Sequence, residues 1–183
     1  PNKKGLEAAL LAGVEEIAIF GAASDSFSQR NIGCSMEQSL ERFVEVVDLA
    51  IAARLKVRGY VSCVAGCPYE GEVAESTVAD FARRLIDMGC YEVSLGDTVG
   101  VATPGQVQSL LRTVSAKVAK DQLAVHLHDT YGQGLANILV ARQEGLAVVD
   151  CSVSGLGGCP FSPGASGNVA TEDVLYMLNG LGV

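Results

Sequence analysis

Leu123-Ala124-Val125-His126-Leu127-His128-Asp129-Thr130 runs from an apolar segment directly into polar side chains. Leu123 to Val125 read as a strand. Residues i and i+2 of a strand point to the same face, so the only two histidines of the 183-residue chain stand side by side where that strand ends. A carboxylate, Asp129, comes next. Such a pair suits half of a metal or catalytic site, and the bland alternative is two polar residues where a strand meets its loop. A helical segment from about Gly134 to Glu144 follows, so the unit is strand, polar edge, helix.

The same unit recurs on both sides. Lys3 to Gly13 reads as a helix with a glycine stop. Strands begin near residues 16, 58, 91, 123 and 147, and each is preceded by a helical segment, so the order is one helix and then strand and helix five times. Gly21 to Gly33 reads as a polar loop. Ser35-Met36-Glu37-Gln38 fits a capping box, with Ser35 as N-cap and Gln38 at N3. Thr103-Pro104-Gly105-Gln106 offers an N-cap, a proline at N1 and a glutamine at N3. Thr171 opens a final helix that runs through Asn179. Strands alternating with helices of this length predict a parallel sheet in one domain over residues 1–183. Polar residues cluster after the strands: Ser24 and Asp25, Asp97 and Thr98, the histidine pair, and the glycine-rich loop beyond Ser152. That edge is where ligands bind in both a doubly wound sheet and a (β/α)8 barrel. Gly155-Leu156-Gly157-Gly158-Cys159 follows the last strand and lacks an acidic partner, so it is a weak dinucleotide signal.

Composition narrows the classes. Hydrophobic residues make up 49% and charged residues 19% of the chain, which describes a globular protein. A net charge of −8 argues against nucleic acid and anionic membrane surfaces as partners. Neither a transmembrane run nor a signal-peptide pattern is present, and the chain opens on Pro1 rather than Met, as a fragment or a processed form would. Six dispersed cysteines predict a reducing compartment. Cys63 and Cys67 have the wrong spacing for a zinc knuckle and read as packing or loop thiols.

Taken together, the motifs resemble the 3-hydroxy-3-methylglutaryl-CoA lyase family. The resemblance is carried by Val61-Ser62-Cys63 with Gly66-Cys67-Pro68-Tyr69-Glu70-Gly71, by Ser94-Leu95-Gly96-Asp97-Thr98, and by His126-x-His128-Asp129-Thr130-Tyr131-Gly132-Gln133. Ser154-Gly155-Leu156-Gly157-Gly158-Cys159-Pro160 and Ala165-Ser166-Gly167-Asn168-x-Ala170-Thr171-Glu172-Asp173 complete it. The His-x-His-Asp part is shared with Claisen-type synthases and other lyases on the same barrel, whereas the Gly-Gly-Cys-Pro loop is more specific to the lyase.

The resemblance implies a (β/α)8 TIM barrel, of which this chain supplies an incomplete portion, about strands 4 to 8 with their helices. It implies divalent-metal-dependent cleavage of 3-hydroxy-3-methylglutaryl-CoA to acetyl-CoA and acetoacetate, as in leucine degradation and ketone-body formation. Mg2+ or Mn2+ is the implied cofactor, with His126, His128 and Asn168 as ligands. The family's first-strand Arg-Asp stretch, which supplies a further ligand and a catalytic arginine, has no counterpart in the chain. Nor has its C-terminal CoA-contacting extension. Cys159 is implied as proton donor or shuttle on a mobile glycine loop, His126 and Asp97 as further catalytic residues, and Asn31, Arg58 and Tyr60 as substrate contacts. Alternatives stay open: a loop aspartate for Asp97 and an exposed structural role for Arg58. Asp129 is expected to support the histidines, and Glu172 to cap a helix or support the site. A homodimer is implied, in the cytoplasm of a bacterium or the mitochondrial matrix of a eukaryote. Competing readings are a lyase or synthase acting on another acyl-CoA, and a non-catalytic barrel fragment.

Overall fold

The computed structural model describes residues 2–162 and 164–183. Among them, five strands form one parallel sheet: β1 (Glu16–Ala22), β2 (Lys56–Ser62), β3 (Glu92–Asp97), β4 (Leu123–Leu127) and β5 (Val148–Asp150). Their order in space is their order in the chain, β1-β2-β3-β4-β5. A doubly wound sheet reverses direction at a switch point, whereas a barrel adds each strand beside the last. The unbroken sequential order therefore decides for the barrel, and the described residues hold five of the eight strands such a barrel has.

Seven α-helices lie among the described residues: α1 (Lys3–Leu11), α2 (Asp25–Ile32), α3 (Met36–Ala52), α4 (Glu75–Met88), α5 (Pro104–Ser115), α6 (Gly134–Gln143) and α7 (Thr171–Gly180). Strand alternation divides the sheet. Val57, Val61, Val93, Leu95, Val125 and Leu127 pack against Phe43, Val47, Phe81, Leu85, Leu111 and Ile138 in the main core. The other face carries Arg58, Tyr60, Glu92, Ser94, His126 and Asp150, brought level by the registers Arg58↔Glu92, Tyr60↔Ser94 and His126↔Asp150. A barrel interior is filled by side chains rather than by lipid-like surface, and here the filling is polar.

The two anticipated helix starts are formed. Gln38 N–H donates to Ser35 Oγ at 3.2 Å and Ser35 N–H to Gln38 Oε1 at 3.1 Å. Thr103 N–H donates to Gln106 Oε1 at 2.9 Å, with Pro104 first in the helix.

One stretch departs from expectation. Residues 25–32, read as loop from their polarity, form α2. Ser24 Oγ caps it by accepting from Phe27 N–H at 3.1 Å, and Gly33 ends it in the left-handed region at φ 67°. Asp25 Oδ1 accepts from Met36 N–H at 2.7 Å, so the first turn of α2 also docks the start of α3. The helix is too short and polar to display an apolar stripe. What holds it is the burial of Phe27 and these two caps.

Candidate active site

The C-terminal ends of the strands enclose a cavity of about 510 Å³. β1 supplies Ala18 and Phe20, β2 supplies Tyr60 and Val61, and β3 supplies Gly96, one residue before its end. β4 delivers His126 and, one step beyond its end, His128. α2 contributes Phe27 and Asn31. The loop after β5 closes the ring with Gly157, Gly158, Cys159 and Asn168. Six residues singled out in the sequence, Asn31, Tyr60, His126, His128, Cys159 and Asn168, thus surround one space.

The two imidazoles lie 5.5 Å apart, centroid to centroid, and the Tyr60 ring meets His126 edge-on at 6.4 Å. A backbone bridge sets His128 beside Asn168. Asn168 Nδ2 donates to Leu156 O at 2.9 Å, which fixes the amide and leaves Oδ1 as its free end. Asn168 Oδ1 and His128 Nδ1 are both buried without a hydrogen-bond partner. Burial, with His126 alongside, holds the His128 imidazole below its ordinary pKa and hence neutral, as a ligand must be.

His126 Nδ1 faces Asp150 Oδ2 at 3.5 Å, an approach too loose to satisfy the nitrogen. With that nitrogen turned to a carboxylate, Nε2 is the one left for a ligand bond. No group of three His, Cys, Asp or Glu side chains that could hold a metal gathers among the described residues. The fit to a cation therefore rests on two imidazoles and one amide oxygen. Two of their lone-pair atoms are buried and unsatisfied, and a buried acceptor without a partner is costly. A divalent cation completed by further oxygen ligands would satisfy them.

Three residues expected at the site act elsewhere. Asp97 alternates with Gly96 and so points to the helix side. Oδ1 accepts from the N–H groups of Gly100 and Val101 at 3.1 and 3.2 Å, and Oδ2 from Ala102 N–H at 2.9 Å. Burial pushes its carboxyl above the usual range against the pull of those donors. In this arrangement it clamps the loop after β3. Arg58 shares the barrel face of Tyr60, but its guanidinium is occupied below the cavity. Nε donates to Glu92 at 2.7 Å and Nη1 to both Asp150 oxygens at 2.8 and 3.0 Å. Burial opposes its charge, and the two carboxylates outweigh that and raise its pKa further. Asp129 does not support the histidines: Oδ1 accepts from Gly134 N–H at 2.7 Å at the start of α6. A Cβ on Gly134 would come within 2.3 Å of Val169 Cγ2, so only glycine permits that approach.

The residues missed in the sequence are Glu92, Ser94 and Asp150. Ser94 Oγ donates to Asp150 Oδ2 at 2.7 Å, and the triad sits beneath His126. Three polar residues at alternate positions of two strands were the available signal, but their facing requires the register. Glu172 supports the loop: Oε2 accepts from Ser154 N–H at 2.9 Å. Cys63 and Cys67 are packing thiols, buried with Ala22 and Phe27 in a small cluster that Tyr69, Cys159 and Phe161 cover. Burial pushes the Cys63 thiol strongly up, which keeps it unreactive.

Fold and site together define a portion of a (β/α)8 barrel with a pocket at the C-terminal ends of its strands, where two imidazoles, an amide and a thiol meet apolar side chains. The chain belongs to the HMGL-like family, whose model matches residues 1–183. Over all 183 residues it is 60% identical to a Gallus gallus protein named hydroxymethylglutaryl-CoA lyase, mitochondrial, and covers 61% of that protein. A Pseudomonas aeruginosa protein named 3-hydroxy-3-isohexenylglutaryl-CoA/hydroxy-methylglutaryl-CoA lyase is 60% identical over 181 residues, with 60% of its length covered. A crystal structure of a hydroxymethylglutaryl-CoA lyase from P. aeruginosa superposes with a TM-score of 0.95, at 60% identity, over 99% of this chain and 60% of that one. An Acinetobacter baumannii HMG-CoA lyase in complex with coenzyme A and 3-methylmalate matches with a TM-score of 0.94 and 36% identity, over all of this chain and 60% of that one. The chain thus spans about three fifths of the length of these relatives. No helix among the described residues is long and apolar enough to cross a membrane.

Proposed function

We propose that this chain is the larger part of a 3-hydroxy-3-methylglutaryl-CoA lyase, which cleaves its substrate to acetyl-CoA and acetoacetate. The observation that carries the reading is the meeting of His126, His128, Asn168 and Cys159 around one cavity, in a chain whose relatives bear that name. Mg2+ or Mn2+ is the cofactor proposed, held by His126, His128 and Asn168. A cation held there would supply Lewis acidity for the oxygen on which charge develops.

The hydroxyl loses its proton to a base, the bond between C2 and C3 breaks, C3 becomes the ketone of acetoacetate, and C2 takes a proton as acetyl-CoA departs. Cys159 lines the cavity, which supports the reading that it gives that proton. Asn31 and Tyr60 line the same space and would position the acyl group. The glycine-rich loop keeps water from the enolate while the proton passes. A homodimer, a role in leucine catabolism and ketone-body formation, and a mitochondrial or bacterial cytoplasmic location belong to the same reading.

A longer-chain substrate is the second reading. The P. aeruginosa relative is named for an isohexenyl substrate as well, and Ala18, Phe20 and Phe27 give the cavity an apolar wall. The test is an assay of the full-length protein with Mg2+ and each acyl-CoA, following acetoacetate and acetyl-CoA. Turnover of 3-hydroxy-3-methylglutaryl-CoA that EDTA abolishes, and that falls by orders of magnitude in His126→Ala, is the expected result. Near-normal turnover in that variant would overturn the ligand assignment, and condensation without cleavage would overturn the lyase.

A further inference from the structure

We propose that Tyr69 is a positioning residue that latches the Cys159 loop over the cavity; the consequence for catalysis rests on the lyase reading. Tyr69 follows β2, and the glycine-rich loop follows β5, so the two come from strands that are not neighbours in the sheet. They meet across the barrel mouth, where Tyr69 Oη donates to Phe161 O at 2.5 Å. Among the described residues this is the one hydrogen bond that ties residues 157–162 to a part of the chain outside their own loop. The remaining bonds of that stretch are a turn, Ser162 N–H to Cys159 O at 3.0 Å, and Ala165 N–H to Ser162 O at 3.2 Å.

The base of the loop is anchored separately, on the β4 and β5 side, by Asn168 Nδ2 to Leu156 O and Ser154 N–H to Glu172. Between base and tip lie Gly157 and Gly158, both exposed. Gly157 has a φ of 101°, a conformation that other side chains avoid. This segment can swing as a unit. Cys159 and Phe161 reach the far rim and pack on Ala22, Phe27, Cys63 and Cys67 at the ends of β1 and β2.

The Tyr69 ring is itself held. Arg30 of α2 lies 4.2 Å over its centroid and Phe27 flanks it at 6.3 Å. Its hydroxyl is therefore aimed before the loop arrives. A hydrogen bond is modest beside the entropy of ordering a glycine-rich loop, so the latch sets how often Cys159 is in place rather than whether the fold exists.

Tyr69→Phe keeps the ring and its Arg30 contact and removes only the hydroxyl, so it tests the latch alone. In the full-length protein, kcat should fall about tenfold, with KM for 3-hydroxy-3-methylglutaryl-CoA changed by less than about twofold. Amide exchange at residues 158–162 and alkylation of Cys159 by iodoacetamide should each quicken by about the same factor, while the core strands exchange as before. Unchanged exchange and alkylation would overturn the latch, whatever the kinetics. Faster exchange with unchanged kcat would confine it to loop mobility and overturn the catalytic consequence. If the parent protein does not turn over this substrate at all, the lyase reading fails, and exchange and alkylation still decide the latch.

Discussion

Asp97 and Cys159 illustrate how far a residue's type falls short of its role. Both belong to motifs that match the family, yet one faces the helix layer and the other the cavity. Asp97 accepts three backbone N–H bonds through its side chain, and Gly100 N–H also reaches the Asp97 backbone O. Asp97→Asn, with one acceptor oxygen in place of two, should cost about 1–3 kcal/mol in urea unfolding and leave Mn2+ affinity unchanged. Cys159→Ala in the full-length protein should hold KM within a few-fold and lower kcat by at least about a hundredfold. A variant that mainly loses substrate affinity would count against proton transfer.

At the scale of elements, the strong local signals proved reliable and the weak ones did not. The box at Ser35 and Gln38 is closed in both directions. Ser35→Ala should lower stability by about 1 kcal/mol, read from the chemical denaturation midpoint with an unchanged m-value. By contrast, α2 carries serine, aspartate, glutamine and asparagine, residues that compete for backbone bonds and suggest a loop. Its formation depends on contacts distant in sequence: Asp25 on Met36, and Ser26 N–H on Glu70 Oε1 at 2.6 Å. β1 runs to Ala22 and β5 stops at Asp150 for the same reason, since strand ends are set by the neighbour's register rather than by composition.

At the scale of the whole molecule, the Arg58 network joins β2, β3 and β5 through the barrel interior. Its members are largely shielded from solvent, with side-chain exposures of 12% for Arg58, 9% for Glu92 and 19% for Asp150. Arg58→Met would strand two buried carboxylates and should cost about 3–5 kcal/mol near neutral pH. Burial raises the Asp150 carboxyl, but hydrogen bonds from Ser94 and Arg58, with His126 close by, outweigh it and hold its pKa below the ordinary value. The stability Asp150 contributes is therefore complete above the unfolded value of about 4 and is lost as pH falls through the lower folded one. The penalty of Arg58→Met should shrink over that same acidic window, because a protonated carboxyl no longer needs a cation. Urea unfolding of both proteins across the window checks this, and a penalty independent of pH would show that packing rather than charge dominates.

By itself the sequence determined the alternation of strand and helix, the strand ends on which polar residues gather, and the motifs that match the family. These are local properties, written in periodicity, caps and short spacings. Only the tertiary structure decided that the strands follow one another without a reversal, which makes the sheet a barrel portion. It alone brought Asn31, Tyr60 and Cys159 to the histidines, turned Asp97 away, and closed Arg58 between Glu92 and Asp150. The physical reason is that facing depends on pairing register: one residue of slip exchanges the two faces of a strand. That register is set by neighbours some thirty residues away, as Arg58↔Glu92 and Gly96↔His126 are.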